Sequence, residues 1–422
     1  MPDELKRRLA ALEIDTRLLG MVGALLVVWI GFDLLTQGRF LTSRNLFNLS
    51  VQTASVAVMA TGMVFVIVTR HIDLSVGSLL GVLAMVMGVI QAEILPDYLG
   101  FNHPANWVIT VGVGVILGAA IGAAQGYVIG YLAVPAFIVT LGGLLIWRGA
   151  AWWVTQGRTV APLDRNFTLM GGGAEGTLGA SLSWGLGILA VAAVLGLLAW
   201  SRRRRRTHGF AVKPLWAEFT LGALLSVLIL GFVAVMNAYQ VPARAAERIF
   251  KARGLEVPPE GVELAHGIAI PVVILLVVAI VITIIARRTR FGRYVFATGG
   301  NPDAAELSGV DTRWLTVKVF ALMGVLCAIA AVIASARLRS AANDLGTLDE
   351  LRVIAAAVIG GTSLAGGVGT IYGAILGALV MQSLQSGMAL VGINTSLQSI
   401  IIGLVLVLAV WADHLYRRRT AT

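Results

Sequence analysis

The sequence predicts an all-α, polytopic membrane protein. Three observations lead there. Of 422 residues, 58% are hydrophobic and only 13% are charged, about half the charged share of soluble domains. Mean hydropathy is +0.86. Apolar runs of about 20 residues, long enough to cross a bilayer, recur along the chain.

Twelve runs are candidate spans: 18–36, 50–69, 74–95, 107–131, 135–156, 183–200, 215–236, 268–286, 314–336, 351–365, 367–386 and 397–415. The 351–365 run is short and ends in glycine, as a broken or re-entrant segment would. Ten to twelve crossings are therefore expected within one permease-like domain, 18–415. Residues 1–17 precede it. Their charges (Lys6, Arg7, Arg8, Arg17) and the length of the next apolar run argue against a cleavable signal. Leu5, Leu9 and Leu12 share one face, so this segment is expected to lie on the membrane surface. A basic tail, 416–422, follows.

Orientation follows from the cations. With the N-terminus inside, inner loops and ends hold 20 of the 32 Lys and Arg, the bias that cytoplasmic loops carry. Both termini are thus expected in the cytoplasm. Trp107, Trp152, Trp184, Trp200, Trp216 and Trp411 fall near span ends, where indole rings prefer to sit. The net charge of +10 lies in loops between apolar runs, so it does not signal nucleic acid. Forty-nine glycines suit close helix approach in lipid. The lone Cys327 excludes an internal disulfide.

No catalytic, cofactor or metal site is legible. The run Gly360 to Gly369 lacks the Lys-Ser/Thr pair of a phosphate loop and reads as a helix break. The five histidines are scattered, without metal-ligand spacing. Membrane polar residues are the remaining suspects. Asp73 and Ser75, in Arg70-His-Ile-Asp-Leu-Ser-Val-Gly77, read either as the inner mouth of a path or as an N-terminal charge on the next helix. Gln125, Thr140 and Gln382 could hydrogen-bond a sugar in a translocation path or stitch helices together. Gln52, Gln385 and Asn394 carry the same two readings. Arg148 reads as a snorkelling or paired residue. Val76 to Gly81 echoes Val368 to Gly373, a faint sign of internal duplication.

A polar island, Gly299 to Gly309, interrupts the apolar pattern. It reads as a short capped helix. Asn301 is a good N-cap, Pro302 suits the first turn, Asp303 suits the positive end of the dipole, and Gly309 suits the left-handed position past the end. Ala304, Ala305 and Leu307 are expected to form a small apolar face. Such a helix is too short to hold its shape alone, so a docked partner is expected.

Four motifs in order resemble the permease subunits of bacterial sugar ABC importers of the ribose/xylose/arabinose class. They are Ile72 to Gly77, Val134 to Leu141 with Arg148-Gly149, Thr289 to Tyr294 leading into the island, and Ile359 to Gly367. The resemblance covers about 20–415. It implies a type II-like ABC importer permease fold without chemistry of its own. It also implies a cytoplasmic ATP-binding subunit, a periplasmic sugar-binding protein and a second permease copy. The family's coupling helix falls on the island, within a cytoplasmic loop 288–313, so the resemblance assigns coupling to Asn301, Pro302, Ala304, Ala305, Glu306 and Gly309. Relative to the smaller ribose-type permeases, an accessory helix pair, 183–236, is inserted. That insertion resembles the xylose-type subgroup and points to D-xylose. The rival reading is an ion-coupled secondary sugar transporter, which would usually carry mid-membrane carboxylates.

Overall fold

Apolar length dictates the architecture. The computed structural model describes residues 16–420 except 253, 255–256 and 259–261; side chains of 16–17, 409–410 and 412–420 are outside the described set. The surface segment expected over 1–17 therefore falls essentially outside it. Among the described residues, ten helices are long and apolar enough to cross a membrane. No strand is present among them, only three isolated bridges.

In chain order the helices are α1 (Thr16–Leu35), α2 (Ser43–Val68), α3 (Val76–Val89, prolonged through a π-helical turn to Leu99), α4 (Asn106–Gly130) and α5 (Ala136–Thr155). There follow α6 (Gly179–Thr207), α7 (Leu215–Ala238), the short α8 (Ala243–Ala252), α9 (Ile270–Arg288), α10 (Arg290–Gly300), α11 (Pro302–Leu307) and α12 (Thr312–Leu338). The chain ends with α13 (Asp349–Ile359), α14 (Ile371–Leu390) and α15 (Thr395–Thr420). Ten of the twelve expected spans coincide with crossing helices. The run 351–365 becomes α13, which has 11 residues and is too short to span. The run 397–415 falls on α15, much of whose side-chain surface lies outside the described residues.

The core is built around α2 and α12, whose apolar windows are 89% and 72% buried. Small residues bring α12 against α4. Gly118, Gly122, Gly126 and Gly130 recur every fourth residue and face Gly324, Phe320, Val317 and Arg313 in turn. The two antiparallel backbones can therefore touch, which is how helices associate where lipid removes the hydrophobic drive. The pair α6–α7 sits at the edge. It joins the rest through a small cluster of Phe47, Val51, Val233, Met236, Ile268 and Val272.

Candidate translocation path and coupling junction

The island forms the expected capped helix. Asn301 Oδ1 accepts the Ala304 N–H at 3.0 Å, and Gly309 takes φ +84°. Its faces differ from expectation. Ala305 is buried and accepts the Val310 N–H at 3.1 Å, so it faces the permease itself. Leu307 is 90% exposed. No single apolar face joins Ala304, Ala305 and Leu307; Pro302 is half-buried, and Ala304 and Glu306 point to solvent with Leu307. A six-residue helix turns its side chains through almost two revolutions, so tertiary packing decides which one points outward.

Behind the island three chain segments interlock. Arg70 donates from Nε to Gly299 O at 2.9 Å and from Nη2 to Gly300 O at 2.8 Å. Gly367 N–H donates to Val68 O at 3.0 Å. A Cβ on Gly299 would strike Val68 O and the Gly367 N. The end of α2, the end of α10 and the Gly360–Gly369 loop thus meet backbone to backbone. The helix break read in that loop is present: Gly361, Gly366 and Gly367 have positive φ. Arg70 was visible in the sequence only as one more inner cation.

Four of the five expected path residues come together just beyond this junction. Asp73 Oδ1 accepts from Ser75 N at 2.8 Å and from Ser75 Oγ at 2.6 Å. Gln125 Nε2 donates to Ser75 Oγ at 3.1 Å, and Thr140 Oγ1 donates to Ile72 O at 3.2 Å. All four side chains are buried. They fasten the 69–75 linker to α4 and α5, and the knot they make is closed. Gln382 lies apart, donating to Gln52 Oε1 at 2.9 Å.

The segment after α12 dips back into the bundle. Ala341 pairs with Val160 and lies against Gly88, whereas Leu345 and Gly346 lie against Gly81 and Gly77. It therefore runs beside α3 for 11 helical residues, about 16 Å, before α13 begins at Asp349. Gly77 and Gly346 meet so closely that a side chain on either would collide with the other's carbonyl. Arg148, past the midpoint of α5, donates to the carbonyls of Asn343 and Leu345, both at 2.9 Å. Of its two earlier readings, pairing is observed. These carbonyls would otherwise lack partners, a costly state inside a membrane domain.

Above this dipping segment is a cavity of about 270 Å³, lined by Gln52, Arg337, Asp349, Arg352, Gln382 and Gln385 among others. Arg352 Nη1 donates to Asp349 Oδ1 at 2.9 Å. A second cavity of about 160 Å³ shares Val51, Gln52 and Arg337 and reaches Arg339 and Gly171 to Gly173. Together they form a polar recess on the half of the molecule away from the island. Arg337, Asp349 and Arg352 escaped the sequence reading. The signal was there: an Asp-x-x-Arg pair opens the one apolar run too short to cross.

A model of the family described as branched-chain amino acid transport system / permease component matches residues 45–410. The chain belongs to that family. It is a multi-pass membrane permease component. Among its relatives, the xylose transport system permease protein of Haemophilus influenzae is 38% identical, covering 93% of this chain and 95% of that one. The xylose transport system permease protein of Escherichia coli is 36% identical, covering 95% and 92%. The ribose import permease protein of Escherichia coli is 31% identical, covering 89% and 87%. No solved structure matches. Nothing in this family assignment supports the ion-coupled alternative.

Proposed function

We propose that this permease carries a monosaccharide, D-xylose by preference, as the membrane subunit of an ABC importer. A separate ATP-binding subunit docks on the island, a sugar-binding protein docks on the opposite face, and a second copy of the chain completes the path. The N- and C-termini lie on the ATPase side, at the inner membrane's cytoplasmic face. The observation that carries this reading is the interlock behind the island. Its backbone contacts leave no slack, so a force on α11 would reach both α2 and the Gly360–Gly369 loop, and through them α13 and α14.

The likeness to xylose permeases over nearly the whole chain supports the substrate. The polar recess fits it chemically. Amides and a paired carboxylate and guanidinium offer donors and acceptors on several sides, as neutral hydroxyls require. The larger of its two cavities, about 270 Å³, lies just below the ~300–1,000 Å³ of sites for drug-sized ligands, which suits a smaller polyol. Alternating access would open this recess to one face and then the other, with Asp73, Ser75, Gln125 and Thr140 as the inner closure. Surface cations and the positive-inside bias support the assigned orientation.

Uptake into right-side-out membrane vesicles tests the reading. Radiolabelled D-xylose should accumulate only when the binding protein, the ATP-binding subunit and internal ATP are all present. Accumulation driven by an ion gradient with the ATP-binding subunit absent would overturn it. Faster uptake of ribose than xylose with matched binding proteins would reassign the sugar alone.

A further inference from the structure

The edge pair α6–α7 carries a charged end that lies outside the proposed path and coupling junction. Arg202 to Arg206 are five consecutive arginines at the end of α6. The apolar part of α6, Gly179 to Trp200, measures about 33 Å, close to the ~30 Å hydrocarbon thickness. The arginines therefore begin where the acyl chains end. The starts of α6 and α9 lie side by side: Leu178 N–H donates to Ile268 O at 2.9 Å and Ile268 N–H to Ser183 Oγ at 2.8 Å. Both helices run from there to the island face, so the arginines occupy the headgroup level on that side.

The pair satisfies only part of this charge internally. Arg202 Nη1 bonds Glu218 Oε2 at 2.7 Å and Lys213 O at 3.0 Å. Arg203 and Arg206 are exposed and form no ion pair among the described residues; Arg204 is exposed and lies 5.5 Å over the Trp200 ring. Trp200, Phe210, Trp216 and Phe219 stand exposed around them, at 53%, 68%, 46% and 82%. A ring of aromatics at the depth of a cation cluster is the pattern of a membrane interface. The sides of both helices are largely bare apolar surface within this chain, with windows only 11% and 17% buried.

We propose that Arg203, Arg204 and Arg206, framed by Trp200 and Trp216, bind the phosphates of anionic phospholipids. The accessory pair is then an anchor that holds a collar of anionic lipid beside the transport core. Guanidinium forks match phosphate oxygens bidentately, and clustered cations at a membrane surface select anionic headgroups.

The test uses the full-length chain in vesicles of phosphatidylcholine with phosphatidylglycerol, extracted with mild detergent, with retained lipids counted by mass spectrometry. The parent should hold phosphatidylglycerol in excess over its share of the bilayer. The triple variant R203Q/R204Q/R206Q should lose that excess, by about fivefold for each charge removed. The triple lysine variant should keep most of it. Absence of any excess in the parent, or an unchanged excess in the glutamine variant, overturns the proposal. Should the glutamine variant fail to insert, the parent is compared at ~0.1 M and ~1 M salt, where screening lengths differ threefold or so. An excess insensitive to salt overturns the proposal as well.

Discussion

The helix α2 and the pair α6–α7 are equally apolar, yet they live in different surroundings. The α2 window is 89% buried, while those of α6 and α7 are 11% and 17% buried. Mean hydropathy does not separate them, at 2.0 against 2.2 and 2.5. What separates them is the set of helices packed around each. α2 carries Thr53, Ser55, Thr61 and Gly62, all buried against neighbours. α6 and α7 are no poorer in small residues, with Gly185, Gly187, Ala190, Ala192 and Gly196 on α6, but they pack chiefly on each other, and α7 touches α2 on one side only. α2 is thus enclosed by this chain's own helices, whereas the edge pair leaves most of its surface bare.

The hardest test of this contrast is Gly299→Val. Because the new Cβ meets backbone and not a movable side chain, overpacking should cost about 3 kcal/mol, the upper part of the usual range. Reconstituted uptake should be lost and the detergent-solubilised chain should melt earlier. Gly185→Val, on an edge helix with open space around the residue, should melt within experimental error of the parent. Equal effects at both sites would erase the distinction.

Arg70→Gln probes transmission with less disruption. Arg70 is exposed, so its two bonds to Gly299 and Gly300 are worth about 1–2 kcal/mol together after solvent competition. The permease should still insert and bind the ATP-binding subunit. Uptake should fall about tenfold while ATP hydrolysis by the complex persists. Parallel loss of hydrolysis and uptake would mean that Arg70 supports docking and not transmission.

The island itself separates two roles. Leu307→Glu should weaken association with the ATP-binding subunit by about 2 kcal/mol, the size of a modest hot spot, and leave permease melting unchanged. Ala305→Glu should do the reverse first, lowering the melting temperature, because it buries a carboxylate against the protein's own core. Binding measured by surface immobilisation and melting by intrinsic fluorescence distinguish them. If Leu307→Glu binds normally, the exposed face of α11 is not the contact.

These residues also mark what was legible in advance. The caps at Asn301 and Gly309 follow from local chemistry, so the short helix was readable. The burial of Ala305 was not, because the rotation of a six-residue helix is set by what packs behind it. The 351–365 run announced a non-spanning segment by its length. Its entry along α3 was hidden, because 339–348 has the polar composition of an ordinary outer loop. Asp73, Ser75, Gln125 and Thr140 were identifiable one at a time as buried polar groups needing partners. That Gln125 reaches Ser75 and Thr140 reaches the Ile72 carbonyl depends on how α4 and α5 converge on the 69–75 linker, which no local pattern encodes.

The smallest expected effect lies where the edge pair joins the core. His266 is buried between Tyr239, at the end of α7, and Phe47 on α2, with ring centroids 4.3 Å and 4.9 Å away. Its Nδ1 lies 3.2 Å from Tyr239 O; since a carbonyl can only accept, Nδ1 carries the proton. Burial holds the imidazole below its ordinary value of 6.5, against a smaller opposing effect of the Tyr239 carbonyl. Both joined and separated states are neutral above that value, so the joint is at full strength there. As pH falls below 6.5 the separated histidine takes up a proton first, and the joint weakens until the buried ring also charges. Hydrogen exchange at Tyr239 to Val241, taken relative to each amide's intrinsic rate at the same pH, should rise between pH 7 and pH 5.5 in the parent, values that straddle the ~6.5 of free histidine. His266→Gln should flatten that rise, whereas exchange along α2 should not respond in either protein; a matching response in α2 would mean that core and edge open as one unit.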